Sequence, residues 1–392
     1  MAHHTGFTFP LEALNFPQPW GMEEPPMNFH QCKAYLEQGL KNGGLRHVDA
    51  LAHILGIAPR SPWFKPSCEA FVCYNDHLHA HVMPLDAEWY ESNHSEITEL
   101  GFGSVSVYSA RSAISKNITD YLASMSVHHI RIMENAHMVN GRRCAGNPEE
   151  FQFGRTGFAT RLQGQGLLHS SLMKYDDDYV YETHPMQTIP EPRPIIIIGH
   201  AVSNDLEEFN KYLGIDLTKY RILMTLDTQV MAREVGITGP NGPNISLKNL
   251  LEHYGITKDT FLHNAGNDAA FTMIAGCLLA HNRFNLHGED ISQMQKDVDN
   301  LKSQIRQRQN TPVHGIPQYC TRCDSRDHMA SNCVVQLFCT RCADKYPEKA
   351  KSHSLQKCLV VSNPCERCLK SPKPKLHQNA DTHTTNQCIF VD

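Results

Sequence analysis

Ile195-Ile196-Ile197-Ile198-Gly199-His200-Ala201-Val202-Ser203-Asn204-Asp205 is the stretch on which the fold of this 392-residue chain turns. Four isoleucines in a row, entered from Pro194 and left through Gly199, read as a short buried strand. A helix over Leu206–Leu213 follows at once, so strand and helix alternate here. Downstream the alternation continues. Ile222–Leu226 reads as a strand, Leu247–Tyr254 as an amphipathic helix opened by the cap residue Ser246, and Gly266–Ala280 as a last helix. Upstream lie three strand candidates: Val82–Glu88, Leu100–Tyr108 with its alternating pattern, and Val127–Met133. Strands first and strand–helix alternation afterwards predict an α/β domain over residues 66–285, a mixed sheet flanked by helices.

Around that block the chain changes character. Residues 1–65 read as an N-terminal extension, irregular over 1–26 and helical over 28–57 on either side of Asn42-Gly43-Gly44. Residues 286–312 read as a helical spacer. Within it Met294, Val298, Leu301 and Ile305 form a seam that either docks on the body or pairs with a second copy. Residues 313–392 hold three tandem cysteine–histidine units. Hydrophobic content of 41% and charged content of 20% fit a globular protein. No apolar run reaches the ~20 residues of a membrane helix, and Met1–Pro10 lacks the pattern of a secretory signal. A cytoplasmic or nuclear location without membrane contact is expected. The formal net charge of −5 is uneven: residues 313–392 carry 11 Lys+Arg against 7 Asp+Glu, leaving the remainder at −9. An acidic body beside a basic tail excludes a uniform polycation and fits a carboxylate site next to a phosphate grip.

Four acids and one histidine stand where chemistry is expected. Asp86 and Glu88 lie two apart on the first strand, hence on one face. Asp205 follows the isoleucine strand. His263 and Asp268 share the segment His263-Asn264-Ala265-Gly266-Asn267-Asp268 that opens the last helix. Carboxylates converging on one spot repel unless cations sit among them. Two Mg²⁺ or Mn²⁺ ions suit such oxygen ligands and can stabilise both oxygens of a phosphodiester displacement. His263 is the candidate to accept the proton of an attacking water. Each element alone has a blander reading as strand edge, helix cap or surface histidine. The order and spacing together are what carry weight.

This set resembles the DEDDh 3′–5′ exonucleases of the ribonuclease H-like superfamily, over about residues 80–285. Asp86 and Glu88 match the first motif, Asp205 the second, and His263 with Asp268, spaced H-x4-D, the third. Asp227-Thr228 and Ser246–Leu251 look like the family's middle section. The resemblance implies a five-stranded mixed sheet. It also implies one metal on Asp86, Glu88 and Asp268, with Asp86 bridging and Asp205 serving the second metal. Trp89 and Asn204 depart from the pattern, standing where many members have Thr and Phe, and Trp89 is expected near the path of the terminal nucleotide. Within the family the chain resembles a fungal group that includes the Argonaute-partner exonuclease of RNA quelling, which implies a partner in an RNA-processing or silencing complex.

The tail repeats one spacing with a growing middle loop. Cys320, Cys323, His328 and Cys333 run C-x2-C-x4-H-x4-C. Cys339, Cys342, His353 and Cys358 run C-x2-C-x10-H-x4-C. Cys365, Cys368, His383 and Cys388 run C-x2-C-x14-H-x4-C. Tetrahedral Zn²⁺ explains fixed ends with a variable loop, so three zinc knuckles and three Zn²⁺ are expected. Knuckles grip single-stranded nucleic acid, RNA more often than DNA. A disulfide framework is disfavoured without an export signal, whereas zinc sites that bind only protein stay open, since Asp327 replaces the glycine usual before the histidine. Tyr319 and Phe338, just ahead of the first cysteines, are candidates to stack on bases. His314 reads as solvated and His377 as the one rival to His383. Cys32, Cys68, Cys73, Cys144 and Cys277 show no metal spacing and read as free thiols. The sequence thus predicts a metal-dependent exonuclease with a zinc-knuckle grip. The alternative is a catalytically weak RNA-binding or adaptor protein that works through its tail.

Overall fold

The computed structural model describes residues 26–58, 61–72, 80–113, 117–141, 144–174, 192–284, 291–309, 314–377 and 379–388; for Asn204, Asp205, Ile291, Ser292 and Lys375 it describes the backbone only. Residues 1–25 and Cys73 therefore lie outside it.

Six strands form one mixed sheet in the order β4-β3-β2-β1-β5-β6. They are β1 (His81–Tyr90), β2 (Asn93–Ser106), β3 (Ser126–Ile132), β4 (Gly157–Ala159), β5 (Ile195–Gly199) and β6 (Ile222–Asp227). β1, β2 and β3 form an antiparallel meander, while β4, β5 and β6 each run parallel to their neighbours. The sixth strand, β4, is three residues long and pairs only with β3 among the named strands, so the five-strand expectation is one short. The second strand also differs from its expected bounds. It starts at Asn93, because the turn at Glu91-Ser92 folds it straight back onto β1. It stops at Ser106, whose hydroxyl accepts from the Ser109 N–H and caps the short helix that follows, Val107–Arg111. A polar start such as Asn93-His94-Ser95-Glu96 carries no strand pattern; hairpin pairing, not propensity, makes it β.

In chain order the helices are α1 (Phe29–Lys41), α2 (His47–Ile54), α3 (Pro66–Val72), α4 (Val107–Arg111), α5 (Ile118–Tyr121), α6 (Arg161–Leu172), α7 (Ser203–Glu208), α8 (Thr228–Glu234), α9 (Leu247–His253), α10 (Ala265–Arg283) and α11 (Ile291–Arg308). α7 runs on as a π-helical turn, Phe209–Leu213, ended by Gly214 in the left-handed conformation.

Strand alternation divides β1 between two cores. Met83, Leu85, Ala87 and Trp89 face Leu168, Leu172, Phe209 and Leu213. The opposite face carries Val82, Asp86 and Glu88 and is covered by α10, buried from Ala265 to His281. The N-terminal helices share this second core: Leu36, Val48, Leu51 and Ile54 are fully buried in one cluster with Ile274 and Leu278. Residues 26–58 are thus part of the body and not an appendage. The α11 seam is settled likewise. Met294, Val298, Leu301 and Ile305 are buried in the same cluster, which leaves no seam for a second copy.

The tail is docked, not tethered. Phe158 of β4 and Ile316 exchange N–H···O bonds of 2.8 Å each way, an isolated antiparallel bridge. Beside it Tyr319 packs on Phe158, Met133 and Ala136. Tyr319 is thereby buried, with its hydroxyl on Asp324, so it is an anchor and not the exposed stacking ring expected from the sequence. Phe338 remains exposed. His314 is half-buried with its ring edge-on to His128, not solvated.

Candidate active site and zinc centres

The loop before α10 builds one half of the site. Asp259, Phe261 and His263 all have positive φ, of 50°, 41° and 60°, a conformation costly for residues with a Cβ. Amide side chains hold them there. Asn264 caps α10 by accepting from the Asn267 N–H at 3.0 Å and donates to the Asn147 carbonyl. Asn147 donates to the Leu262 carbonyl, and its N–H reaches the His263 carbonyl. Asn267 donates to the carbonyls of Phe261 and Glu150. From α11, the Lys302 ammonium holds the Asp259 carbonyl at 2.9 Å. The supposed spacer is a buttress of this loop.

The other half comes from β1 and β2. Gly101 of β2 lies where any Cβ would fall 1.8 Å from the Ala265 carbonyl oxygen, so a side chain there would push the first turn of α10 off the sheet. That close approach brings Asp268 down to Glu88. Glu88, His263 and Asp268 each offer a ligand atom within 4.8 Å of the others, and His263 Nδ1 is 4.0 Å from a Glu88 oxygen. Asp86 lies two residues back on the same face, opposite Gly101, but outside this tight group. Asp205 falls in the first turn of α7, six residues past the end of the isoleucine strand at Gly199; its side chain, like that of Asn204, lies outside the described atoms. The approach to α7 is shaped by Asp227, whose carboxylate accepts from the N–H groups of Ala201, Val202 and Gln229 and so fixes the turn at Ala201, where φ is 58°.

Burial pushes Asp268 up to about 8, and the charge of Glu99 adds to the rise; N–H bonds from the backbone of His263 and Asn264 oppose it. One oxygen of Asp268 accepts from the His263 N–H at 2.9 Å, and the other, buried, has no hydrogen-bond partner among the described residues. A buried carboxylate oxygen without a partner among the described residues, set among other acids, fits a hard cation. Burial holds His263 below its usual range while its ring stays half exposed. Trp89 does not line this site. Its ring packs on Phe209 and Tyr212 on the opposite face of the sheet, correcting the expected placement beside the nucleotide path.

Sequence reasoning missed Glu99, His129, Asn147, Asn264, Asn267 and Lys302. Glu99 and His129 had one signal: charged and polar residues inside apolar strands, which must find partners.

In the tail all three predicted ligand sets assemble, each with four ligand atoms within 4.8 Å of one another. Sγ to Nε2 distances are 3.5 Å (Cys323–His328), 3.7 Å (Cys342–His353) and 3.5 Å (Cys368–His383). Cys342–Cys358 and Cys368–Cys388 lie at 3.5 and 3.8 Å. A tetrahedral zinc with bonds of about 2.0–2.3 Å sets ligand atoms about 3.5–3.8 Å apart, so the three ligand sets have the right size for it. The described cysteines form no disulfide. Burial and neighbouring thiols push Cys342 and Cys368 up to about 12, so these sulfurs need a cation to stand as thiolates. His377 Nε2 donates to the Ser371 carbonyl at 2.7 Å and takes no part, which leaves His383 as the ligand. The units also lock to one another. Arg322 binds the Cys333 and Ser352 carbonyls, Lys357 pairs with Asp324 at 2.6 Å, and Lys345 pairs with Asp381 at 2.6 Å. The third unit touches the body, with the Ser92 hydroxyl donating to Thr382 at 3.2 Å.

Residues 81–279, just over half the chain, match the family described as DNA polymerase III subunit epsilon-like, C-terminal domain, of the DEDDh class. The chain belongs to this DEDDh exonuclease family. Its α/β domain is therefore a nuclease domain of the exonuclease type, a hydrolase class that works with divalent metals. The chain is also similar to an uncharacterized nucleolar protein of Schizosaccharomyces pombe, 29% identical over 196 residues, covering 48% of this chain and 64% of that protein. No described helix is long and apolar enough to cross a membrane.

Proposed function

We propose that the protein is a 3′–5′ exonuclease that removes nucleotides from single-stranded RNA, held by its zinc tail. The observation that carries the reading is the group formed by Glu88, His263 and the unpartnered Asp268 oxygen on one face of the sheet. Asp86, Glu88, Asp205 and Asp268 are the residues that would hold two Mg²⁺ or Mn²⁺ ions. Bound there, such ions stabilise charge on the attacking and leaving oxygens. The chain's own part is proton handling and positioning. Neutral His263 accepts the proton of a water that attacks the terminal phosphorus. The bond from phosphorus to the 3′-oxygen of the penultimate nucleotide breaks, that oxygen takes a proton from solvent, and a nucleoside 5′-monophosphate leaves. Holding His263 below the usual histidine range keeps it neutral, and hence a base, at neutral pH.

The tail's net charge of +4, its knuckle spacing and exposed Phe338 support a single-strand grip. A nuclear location fits the nucleolar name of the relative; a partner in an RNA-processing or silencing complex is proposed from the sequence resemblance alone. Matched 5′-labelled RNA and DNA strands, incubated with Mg²⁺ and then with EDTA, test the reading. Stepwise shortening of RNA that EDTA stops is expected. No shortening, or cuts inside the strand, would sink it.

A further inference from the structure

Directly behind the metal-ligand group lies a carboxylate that no part of the proposed chemistry uses. Glu99 of β2 is the cross-strand partner of Glu88, and residues opposite one another in an antiparallel pair point to the same face. Glu99 is buried. Its Oε2 accepts from two donors: the Ala265 N–H in the first turn of α10 at 3.2 Å, and Nε2 of His129 at 2.8 Å. His129 is buried in its turn, with the Thr156 hydroxyl at Nδ1, 2.9 Å away. A chain Thr156–His129–Glu99–Ala265 therefore runs from β4's approach to the start of the helix that carries Asp268.

The arrangement is costly unless it serves the site. A second buried acid beside Asp268 adds repulsion to a place already crowded with carboxylates, and the fold alone asks only for a neutral acceptor at the Ala265 N–H. Residues that orient metal ligands from one layer back show this form: a carboxylate fixed by a histidine, holding the ligand-bearing element in place and adding charge that favours the cation. We propose that Glu99, fixed by His129, is a positioning residue of the divalent-metal site. It pins the first turn of α10 and lends its charge to the ions held by Glu88 and Asp268. The inference rests on the metal-dependent nuclease reading.

Glu99→Gln keeps an oxygen acceptor for Ala265 and nearly the same shape but removes the charge. In the full-length protein, calorimetric titration with Mn²⁺ alone should show affinity about 10- to 100-fold below wild type. Thermal unfolding without divalent metal should be unchanged or raised, because one repelling charge is gone. Activity should fall at limiting Mg²⁺ and recover at saturating Mg²⁺, and Glu99→Asp, which keeps the charge, should restore most of the Mn²⁺ affinity. A merely structural Glu99 gives the reverse: lower metal-free stability with unchanged Mn²⁺ affinity, or failure to fold, and either result overturns the proposal. If wild-type protein itself binds no Mn²⁺, the nuclease reading falls first. If wild type binds and Glu99→Gln binds equally well, only the role of Glu99 falls.

Discussion

The catalytic face and the zinc tail both crowd ligands that repel or resist one another, and they do so by opposite means. At the catalytic face Glu88 and Asp268 come from distant parts of the chain. They are brought together by a sheet, a buried helix and a loop in a costly conformation. In the tail each ligand set closes within one short stretch and is surrounded by almost no core; the second unit's cluster is little more than Cys339, Cys342 and Ala350. On the proposed reading one site is shaped by the fold, whereas the other is shaped by its ion. The difference teaches where metal removal should act if that reading holds: on activity in the first region, on folding itself in the second.

The strongest way to break that contrast is to strip the zinc. Metal analysis of the full chain should find three Zn²⁺. Structural zinc is worth about 10–16 kcal/mol to such modules, so chelation should unfold the tail completely. Because Tyr319 and Ile316 cover Phe158 and Met133, the nuclease domain should also lose the burial of an aromatic, about 1.5–3 kcal/mol, and melt a few degrees lower. Circular dichroism and calorimetry with and without chelator check both parts. An unchanged body transition would mean that the docking is energetically idle.

Next in size, Asp268→Asn should cut Mg²⁺-dependent activity by on the order of 10³-fold or more, since several kcal/mol of charge stabilisation go with the metal. The fold should survive: the amide oxygen can still accept from the His263 N–H, and the buried charge is gone. Wild-type rates in a steady-state assay would refute the site. His263→Ala should cost about 10²–10⁴-fold. Wild-type activity should rise with pH as the histidine loses its proton. Burial lowers that transition, so the rising limb belongs below the ordinary value of 6.5, with the plateau reached by neutrality. His263→Ala should flatten the limb, which a pH–rate profile shows.

The smallest expected effect is in the tail. Phe338→Ala removes the exposed ring ahead of the second unit and should weaken binding of a single strand by about 1–3 kcal/mol, with kcat little changed. Fluorescence titration at two salt concentrations measures it. Deleting residues 313–392 is a poorer test of grip, because it also bares Phe158.

The parts of this molecule that were legible in the sequence are those written locally. Asp86 and Glu88 share a strand face by simple alternation, His263 and Asp268 share one helix start, and each cysteine–histidine set closes within one short stretch. The strand at Ile195–Gly199 and the seam of α11 were equally plain. What stayed hidden depends on contacts between distant segments. Nothing near Tyr319 says that it will meet Phe158, nothing near Lys302 says that it will hold the Asp259 carbonyl, and Asn93–Glu96 became strand only because β1 lay beside it. Trp89 was misplaced because that expectation came from the resemblance; strand alternation already turns its ring away from the face of Asp86 and Glu88, towards Phe209 and Tyr212.

The loop carrying Asp259, Phe261 and His263 sets a limit on how this protein can change. Each left-handed residue costs of order 1–3 kcal/mol. Glycine at 259 would relieve that cost and give back only part of it as chain entropy, so a more stable protein is one substitution away there; at 261 it would also strip a partly buried ring. The same change would loosen the backbone that aims the histidine. Stability and aim are thus opposed at these positions, and retaining a side chain there favours a rigid His263 over a more durable fold.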